Sequence, residues 1–507
     1  MTKNAPSQSA AKPGSERSAT GIAGLDDILG GGFPAKRLYL VEGEPGSGKT
    51  TIALEFLLEG ARRGETGLYI TLSETKEELD AVAASHGWSL DGFTIYELVP
   101  LEDSLKPEAQ YTIFHPSEIE LGETTNAVLK EVERIKPHRV VFDSLSEMRL
   151  LARDPLRFRR QILALKQYFA GQQSTVLLLD DKVYDGQDLQ VQSIAHGVVS
   201  LEHLAIEYGA ERRRLRIKKL RGARFRGGYH DFNIETGGVN VFPRLVAAEH
   251  HNKFVKESVP SEIKELDLLL GGGLDRGTAT LILGPTGSGK STLAAQFAAA
   301  GAARGEPAAA FIFDELKESF IARSADIGLE MRQFVENGVL TIQQVDPAEL
   351  SPGEFAHRVR QSVDADGARL VIIDSLNGYL NAMPDERFLS IQLHELLAYL
   401  NQQGVVTIVV TAQHGFLGIN MITPVEVSYL ADTVLMLRYF EAEGAVRRAI
   451  SVVKKRTGPH ENTIREMKIT ETGIQIGSVL REFRGVLTGV PVYAGRKDSL
   501  SAVDDAS

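Results

Sequence analysis

The chain has 507 residues, enough for two ordinary α/β domains with large cores, and its 43% hydrophobic and 24% charged residues are those of a globular protein. A formal net charge of −11 argues against wrapping nucleic acid as the main task, and the absence of cysteine excludes disulfides, thiolate zinc sites and cysteine nucleophiles. No apolar run reaches the ~18 residues that a bilayer span needs, so a cytoplasmic protein with no membrane or nucleic-acid partner is expected.

The opening "MTKNAPSQSAAKPGSERSAT" has no apolar segment and is no secretory signal; its Ser, Ala, Lys and Pro content predicts a disordered leader over residues 1–18. "RLYLVEG" then predicts a short buried strand that runs into "GEPGSGKT" (Gly43–Thr50). In this GxxxxGK[ST] pattern the glycines let successive backbone N–H groups curl around phosphate. The lysine reaches the β and γ oxygens, and the hydroxyl holds Mg²⁺. The nucleotide-binding candidates are Gly43, Pro45, Gly46, Ser47, Gly48, Lys49, Thr50 and Thr51, with Thr50 on the metal side. "TTIALEFLLEGARRG" has apolar residues at helical spacing and a closing glycine, which predicts a helix after the loop.

"GLYITLSE" predicts a strand ending near Glu74. Nucleotide hydrolysis needs a base or an orienting carboxylate close to the γ-phosphate, and Glu74, which follows a core strand, is the favoured candidate; an acid at the start of the helix "TKEELD" is the alternative. "RVVFDSLS" predicts a core strand closed by Asp143, a carboxylate placed to fix Mg²⁺ through water, although the serine after it also fits a helix cap. "STVLLLDD" predicts a further strand. "ERRRLRIKKLRGARFR" (Glu211–Arg226) has nine basic residues in sixteen and alternates from Arg214 to Lys218, which predicts a strand with one charged face. Three readings fit: a nucleic-acid stripe, a solvated edge that blocks aggregation, or a subunit-edge strand offering Lys219-Leu220-Arg221 to a neighbour's nucleotide.

The same order of motifs then returns. "LLGGGLDRGTATLILGPTGSGKST" supplies Gly284, Thr286, Gly287, Ser288, Gly289, Lys290, Ser291 and Thr292, with Ser291 on the metal side. "FDE" supplies Asp314 and Glu315, "VIID" supplies Asp374, and "KKR" supplies Lys454, Lys455 and Arg456. This is a tandem duplication. It predicts one P-loop α/β domain over 19–248, a second over 249–486 and a short polar tail over 487–507. The recurring lysine and arginine favour the subunit-edge reading, because the rest of the basic run does not recur. His250-His251 at the junction reads as an exposed linker pair.

On these residues the chain resembles the KaiC family. The resemblance is carried by both P-loops, the "GLDDILGGG" and "ELDLLLGGG" lead-ins, the two "DSL" segments, "KLRG" and "ADTVLMLRYFEAEGAVRRAISVVKKR", and it spans Gly21 to Pro491. It implies two RecA-like domains, each a mostly parallel sheet flanked by helices. It implies a double-ring homo-hexamer with ATP and Mg²⁺ at subunit interfaces, a slow ATPase in the first domain, and a serine/threonine autokinase and autophosphatase in the second. The output would be signalling or timing.

Aligned on Asp432-Thr433, the family's phosphoacceptors fall on Ser428 and Tyr429. Ser428 is the candidate; tyrosine carries its oxygen further from the backbone, so Tyr429 is the weaker one. The family's paired catalytic glutamates fall on Ser73-Glu74 and Asp314-Glu315. The first domain thus lacks one carboxylate, while Asp314 can act as base for a serine hydroxyl with Glu315 near the metal. The trans contacts fall on Lys219, Arg221, Lys454 and Arg456, with Arg448 a further nucleotide contact; Thr457 stands where the first copy has Gly222. The C-terminal segment by which the family binds KaiA is short here, so that partner is not expected. Two alternatives remain beside the autokinase: an ATP-dependent ring that recruits a response regulator or sensor kinase, and a RecA-like DNA-dependent ATPase, against which the acidic charge weighs.

Overall fold

Five-residue runs with no polar side chain bury both faces, so they belong at the centre of a parallel sheet covered by helices on each side. The computed structural model describes residues 16–98, 116–152, 154–182, 189–205, 209–381, 389–413, 430–487 and 491–493. It divides into two units, Met1–Arg244 and Leu245–Ser507. Each is built on one nine-stranded sheet.

In the first unit a short ribbon, β1 (Arg17–Ser18) with β2 (Phe33–Pro34), precedes the sheet. The leader expected over 1–18 is therefore ordered at its end. Arg17 donates to Leu29 O and Gly32 O at 3.0 and 2.9 Å, and Ser18 Oγ bonds Thr175 Oγ1 at 2.9 Å. The sheet strands are β3 (Leu38–Gly43), β4 (Gly67–Thr71), β5 (Thr94–Glu97), β6 (Arg139–Asp143), β7 (Thr175–Asp181), β8 (Gly197–Leu204), β9 (Arg212–Leu220), β10 (His230–Glu235) and β11 (Gly238–Phe242). They lie in the order β11-β10-β9-β8-β3-β7-β6-β4-β5. From β8 to β5 neighbours run parallel; β9 to β11 form an antiparallel edge. The helix Lys49–Arg62 covers one face, and Leu145–Ala152 with Pro155–Gln172 covers the other.

The second unit repeats this plan. A ribbon of β12 (Ser258–Val259) and β13 (Leu274–Asp275) precedes β14 (Ala279–Gly284), β15 (Ala308–Ile312), β16 (Leu340–Gln344), β17 (Leu370–Asp374), β18 (Val406–Ala412), β19 (Thr433–Ala442), β20 (Ala445–Lys455), β21 (Ile464–Thr470) and β22 (Gly473–Val479). Their order is β16-β15-β17-β18-β14-β19-β20-β21-β22, again six parallel strands and an antiparallel edge. The expected α/β class with two mostly parallel sheets is what the chain forms.

Some boundaries differ from expectation. The second unit starts at Leu245 rather than after 248, because Ala247 is buried in its core and donates its N–H to Glu395 Oε2 at 3.0 Å. His250 is not a free linker residue: its ring stands edge-on to Tyr399 at 5.2 Å, while His251 is exposed. Part of the expected tail folds back, as β24 (Val492–Tyr493) pairs with β23 (Phe483–Arg484). The basic strand β9 buries Leu215 and Ile217 and turns its charges outward, as the alternation predicts. Those charges are matched locally. Arg214 pairs with Glu202 at 2.9 Å, Lys218 with Glu42 at 2.5 Å, and Tyr229 lies under Arg214 and Arg216.

Among the positions at which the duplicated helices behind the two loops differ is Glu55, which is buried in the first unit. Glu55 accepts from Val239 N–H at 2.5 Å, and burial pushes its carboxyl up to about 7, against the partial relief of that hydrogen bond. The second helix has Gln296 there, which donates to Ser261 O. A carboxyl whose folded pKa is raised stabilises the fold fully below its unfolded pKa and loses that contribution as pH rises through about 7. Glu55→Gln should therefore stabilise the first unit by about 2 kcal/mol at pH 8 and by little near pH 4.5. Urea unfolding of the first unit at the two pH values, followed by hydrogen exchange, measures this; equal shifts at both would contradict it.

Candidate functional site

The loop after β3 is shaped by glycines. Gly46 and Gly48 have φ of 76° and 94°, which only glycine adopts without strain, and the helix starts directly at Lys49. Its first N–H groups have no intrahelical partners, and they face the loop concavity with the positive end of the helix dipole. A Cβ at Gly43 would fall 2.5 Å from Ser47 Oγ. That hydroxyl is buried and has no hydrogen-bond partner among the described residues. The loop after β14 has the same form, with Gly287 and Gly289 at φ 77° and 99° before the helix Lys290–Ala303. A backbone cradle at a helix N-terminus with a buried lysine fits a polyphosphate in both units.

Beside each cradle a hydroxyl meets a buried carboxylate. Thr50 lies beside Asp143 at the end of β6, and Tyr69 O–H donates to Asp143 Oδ2 at 2.5 Å. Burial raises the Asp143 carboxyl above the ordinary range, and Tyr69, Lys49 and Thr50 pull it back. In the second unit Ser291 lies beside Asp374, whose pKa burial also raises, with Ser291, Arg323 and Lys290 opposing. The peptide bonds Asp143–Ser144 and Asp374–Ser375 are both cis. Among the described residues no group of three or more acidic, histidine or cysteine side chains could hold a metal alone. Mg²⁺ does not need one: it takes one or two protein oxygens beside phosphate oxygens and water. Thr50 with Asp143, and Ser291 with Asp374, fit that role.

The candidate acids behave differently in the two units. Glu74 turns inward, and its Oε2 is buried with no partner among the described residues. Burial raises its pKa, and Asp143, Glu78 and Asp181 add to the shift. Such a carboxyl is poised to take a proton. In the second unit Asp314 Oδ2 accepts from Ser375 Oγ at 2.5 Å. Glu315 forms a two-pronged pair with Arg323 at 3.1 and 2.9 Å, and Arg323 also donates to Thr292 at 3.2 Å. The side chain expected near the metal is thus engaged by an arginine of the helix Lys317–Ala325.

The lysines of the loops also differ. Lys49 Nζ donates to Gly43 O and Glu44 O and pairs with Asp181 Oδ1, each at 2.9 Å. Lys290 Nζ donates to Pro285 O at 2.8 Å, and burial lowers its pKa against the pull of Asp374.

The remaining candidates lie elsewhere. Lys219 is level with Val198 and Leu40, at the amino end of the parallel strands, whereas Gly43 closes β3 at the carboxyl end. Lys219 donates to Gln192 O and Arg221 to Ser193 O, and Leu220 is buried. Lys454 donates to Ala431 O at 2.7 Å, Lys455 pairs with Asp275 at 3.2 Å, and Arg456 with Asp432 at 3.4 Å. These residues are not brought to their own chain's loops. Arg448 is nearer: it lies over Tyr439, whose O–H donates to Thr286 O in the second loop at 3.3 Å. Ser428 and Tyr429 lie outside the described residues.

Sequence reasoning missed Tyr69, Arg323, Ser146, Asp180 and Asp181. Asp181 had a signal: "VLLLDD" ends in carboxylates as "VVFD" does, on the neighbouring strand. Tyr69 and Arg323 had none, since a strand tyrosine and a helix arginine are ordinary in those elements.

Comparison with known proteins agrees with this arrangement. The family model for the KaiC ATPase matches twice, over residues 18–246 and 259–480. The circadian clock protein KaiC3 of Synechocystis is 27% identical over 491 residues, 96% of each chain. The circadian clock oscillator protein KaiC of Parathermosynechococcus lividus is 27% identical over 499 residues, 97% of this chain and 91% of its own. That of Thermostichus vulcanus is 28% identical over 478 residues, 93% of this chain and 91% of its own.

The Tyr69 contact gives a direct test. Tyr69→Phe leaves the buried Asp143 carboxylate short of a donor, which should destabilise the first unit by about 1–2 kcal/mol. It should also raise the Mg²⁺ concentration needed for half-maximal ATP binding there, read by isothermal titration at fixed ATP. An unchanged Mg²⁺ midpoint would separate Tyr69 from the metal side of the site.

Proposed function

The chain belongs to the KaiC family of ATPases, and on that premise we propose that both of its P-loops bind Mg-ATP and that the first domain hydrolyses it. The observation that carries this reading is the matched trio in each unit: a glycine cradle, a buried lysine, and a hydroxyl beside a buried strand-end aspartate. In the first domain Glu74, whose Oε2 has no partner among the described residues, takes the proton of the attacking water as that water's oxygen bonds the γ-phosphorus. The bond to the β,γ-bridging oxygen breaks, and ADP and phosphate leave. Lys49 and the loop N–H groups hold the phosphate charge throughout. Thr50 with Asp143, and Ser291 with Asp374, would hold Mg²⁺, which when bound would supply positive charge to offset that of the phosphates.

The working form is a homo-hexameric double ring. Lys219 and Arg221, and Lys454 and Arg456, sit at the strand edge away from their own loops, which supports their reaching a neighbour's nucleotide. In the second domain the reading is a serine autokinase acting on Ser428, with Tyr429 the secondary acceptor. Asp314 serves as its base, an acid the first domain lacks at Ser73. The names of the relatives, circadian clock proteins, support a role in timing or in signalling to a protein partner.

The test is nucleotide stoichiometry and phosphate content. The chain should bind about two Mg-ATP per subunit, and Lys49→Ala or Lys290→Ala about one. Lys49→Ala should also weaken ring assembly. After incubation with Mg-ATP, peptide mass spectrometry should find phosphate on Ser428 that is absent from Lys290→Ala. No bound ATP would overturn the nucleotide reading; equal phosphate in Lys290→Ala would overturn the autokinase alone.

A further inference from the structure

The two loops differ in what faces their lysines. An ammonium has three N–H donors, and those of Lys49 are taken by Gly43 O, Glu44 O and Asp181 Oδ1. The aspartate is anchored from behind. Ser146 Oγ donates to Asp181 Oδ2 at 3.1 Å and accepts from Asp181 N–H at 3.2 Å. Asp180 beside it competes for that one hydroxyl proton at 3.2 Å and accepts from Arg149 at 2.5 Å. Strand register sets Asp181 directly opposite Gly43, where the loop begins. In the second unit the residue opposite Gly284 is Ala412, which carries only a methyl group. Asn377, which stands in "DSLN" where the first unit has Ser146, clamps the Ala412 backbone from both sides at 3.1 and 2.7 Å. The strand end is fixed there without a charge.

We infer that Asp181 is a specificity-determining residue of the first loop, a fixed counter-ion for Lys49 that makes this loop favour a nucleoside diphosphate over a triphosphate, relative to the second loop. The inference rests on the reading that both loops bind adenine nucleotides. A β-phosphate is held largely by the loop N–H groups, whereas the lysine reaches the β and γ oxygens. A triphosphate must draw Lys49 from Asp181 and then lie beside a carboxylate that has lost its partner. Like charges at such range repel strongly in a half-buried site. A diphosphate brings less charge to that side, and Ser146 keeps the carboxylate from turning away. The second loop, with Ala412, imposes no such penalty.

The experiment uses the full chain carrying Lys290→Ala, so that only the first loop binds, with Lys49→Ala/Lys290→Ala as the blank. Isothermal titration gives Kd for Mg-ATP and for Mg-ADP. Asp181→Asn keeps the shape and the Ser146 contacts and removes the charge. It should tighten Mg-ATP about tenfold and Mg-ADP by less than about threefold. The mirror variant, Ala412→Asp on a Lys49→Ala background, should weaken Mg-ATP relative to Mg-ADP at the second loop. An unchanged ATP-to-ADP ratio in Asp181→Asn overturns the role of Asp181 and leaves the nucleotide site standing. Weaker ATP binding also overturns it, because the carboxylate would then be holding the nucleotide's metal. Binding no better than the blank overturns the nucleotide reading of the first loop, and the inference with it.

Discussion

A strand buried on both faces can show a polar side chain to solvent only at its ends, and everything in this protein's chemistry follows from that constraint. β3, β4, β6 and β7 run parallel with largely apolar interiors, and polar groups there find partners: Tyr39 O–H donates to Pro34 O, Glu42 meets Lys218 and Tyr69 O–H donates to Asp143. Their carboxyl ends align, so Gly43 lies opposite Asp181 and Thr71 opposite Asp143. The glycine loop, the buried carboxylate of Asp143, the lysine's ion-pair partner Asp181 and Glu74 are thereby gathered on one edge, although they span more than a hundred residues of chain. The second sheet gathers Gly284, Asp374 and the Asp314-Glu315 pair by the same geometry.

Gathering charge on a dry edge raises an energetic problem, which the two domains solve differently. Asp143 and Asp374 are both buried and both pushed toward the protonated form. In the first domain a tyrosine hydroxyl from the next strand donates to the aspartate. The matching position on β15 is Ala310, and there Ser291 and the positive field of Arg323 and Lys290 offset the burial instead. The arginine that helps Asp374 is the one that grips Glu315. One duplicated backbone thus carries two electrostatic designs. The first has an uncommitted acid at Glu74 and a neutralised lysine; the second has committed acids and a lysine without a carboxylate opposite.

Much of this was legible in the chain alone. Each strand that ends at the site appears as a short apolar run, and each loop as glycines at fixed spacing, because both patterns are local and their period is set by the backbone. The repeat announced itself for the same reason: identical local motifs in identical order. The charged face of β9 was also legible, since alternation needs only neighbours in sequence. Its partners were not. Glu202 and Glu42 meet Arg214 and Lys218 through strand pairing, and that pairing turns a stretch resembling a nucleic-acid stripe into a compensated sheet edge.

The sequence by itself therefore determined the fold class, the duplication and the place of the two glycine loops, all of which rest on interactions within one turn of helix or one strand. Tertiary structure alone decided which charges meet. Asp181 reaches Lys49 because β7 lies beside β3 in a set register, and Lys290 has no such partner at the equivalent place because Ala412 stands there. Lys219 and Arg221 are turned from their own loop because β9 joins the sheet antiparallel, which carries its C-terminal end to the amino edge of the parallel strands. Coulomb energy depends on distance in space, and distance in space between residues far apart in the chain is fixed only when the sheet closes.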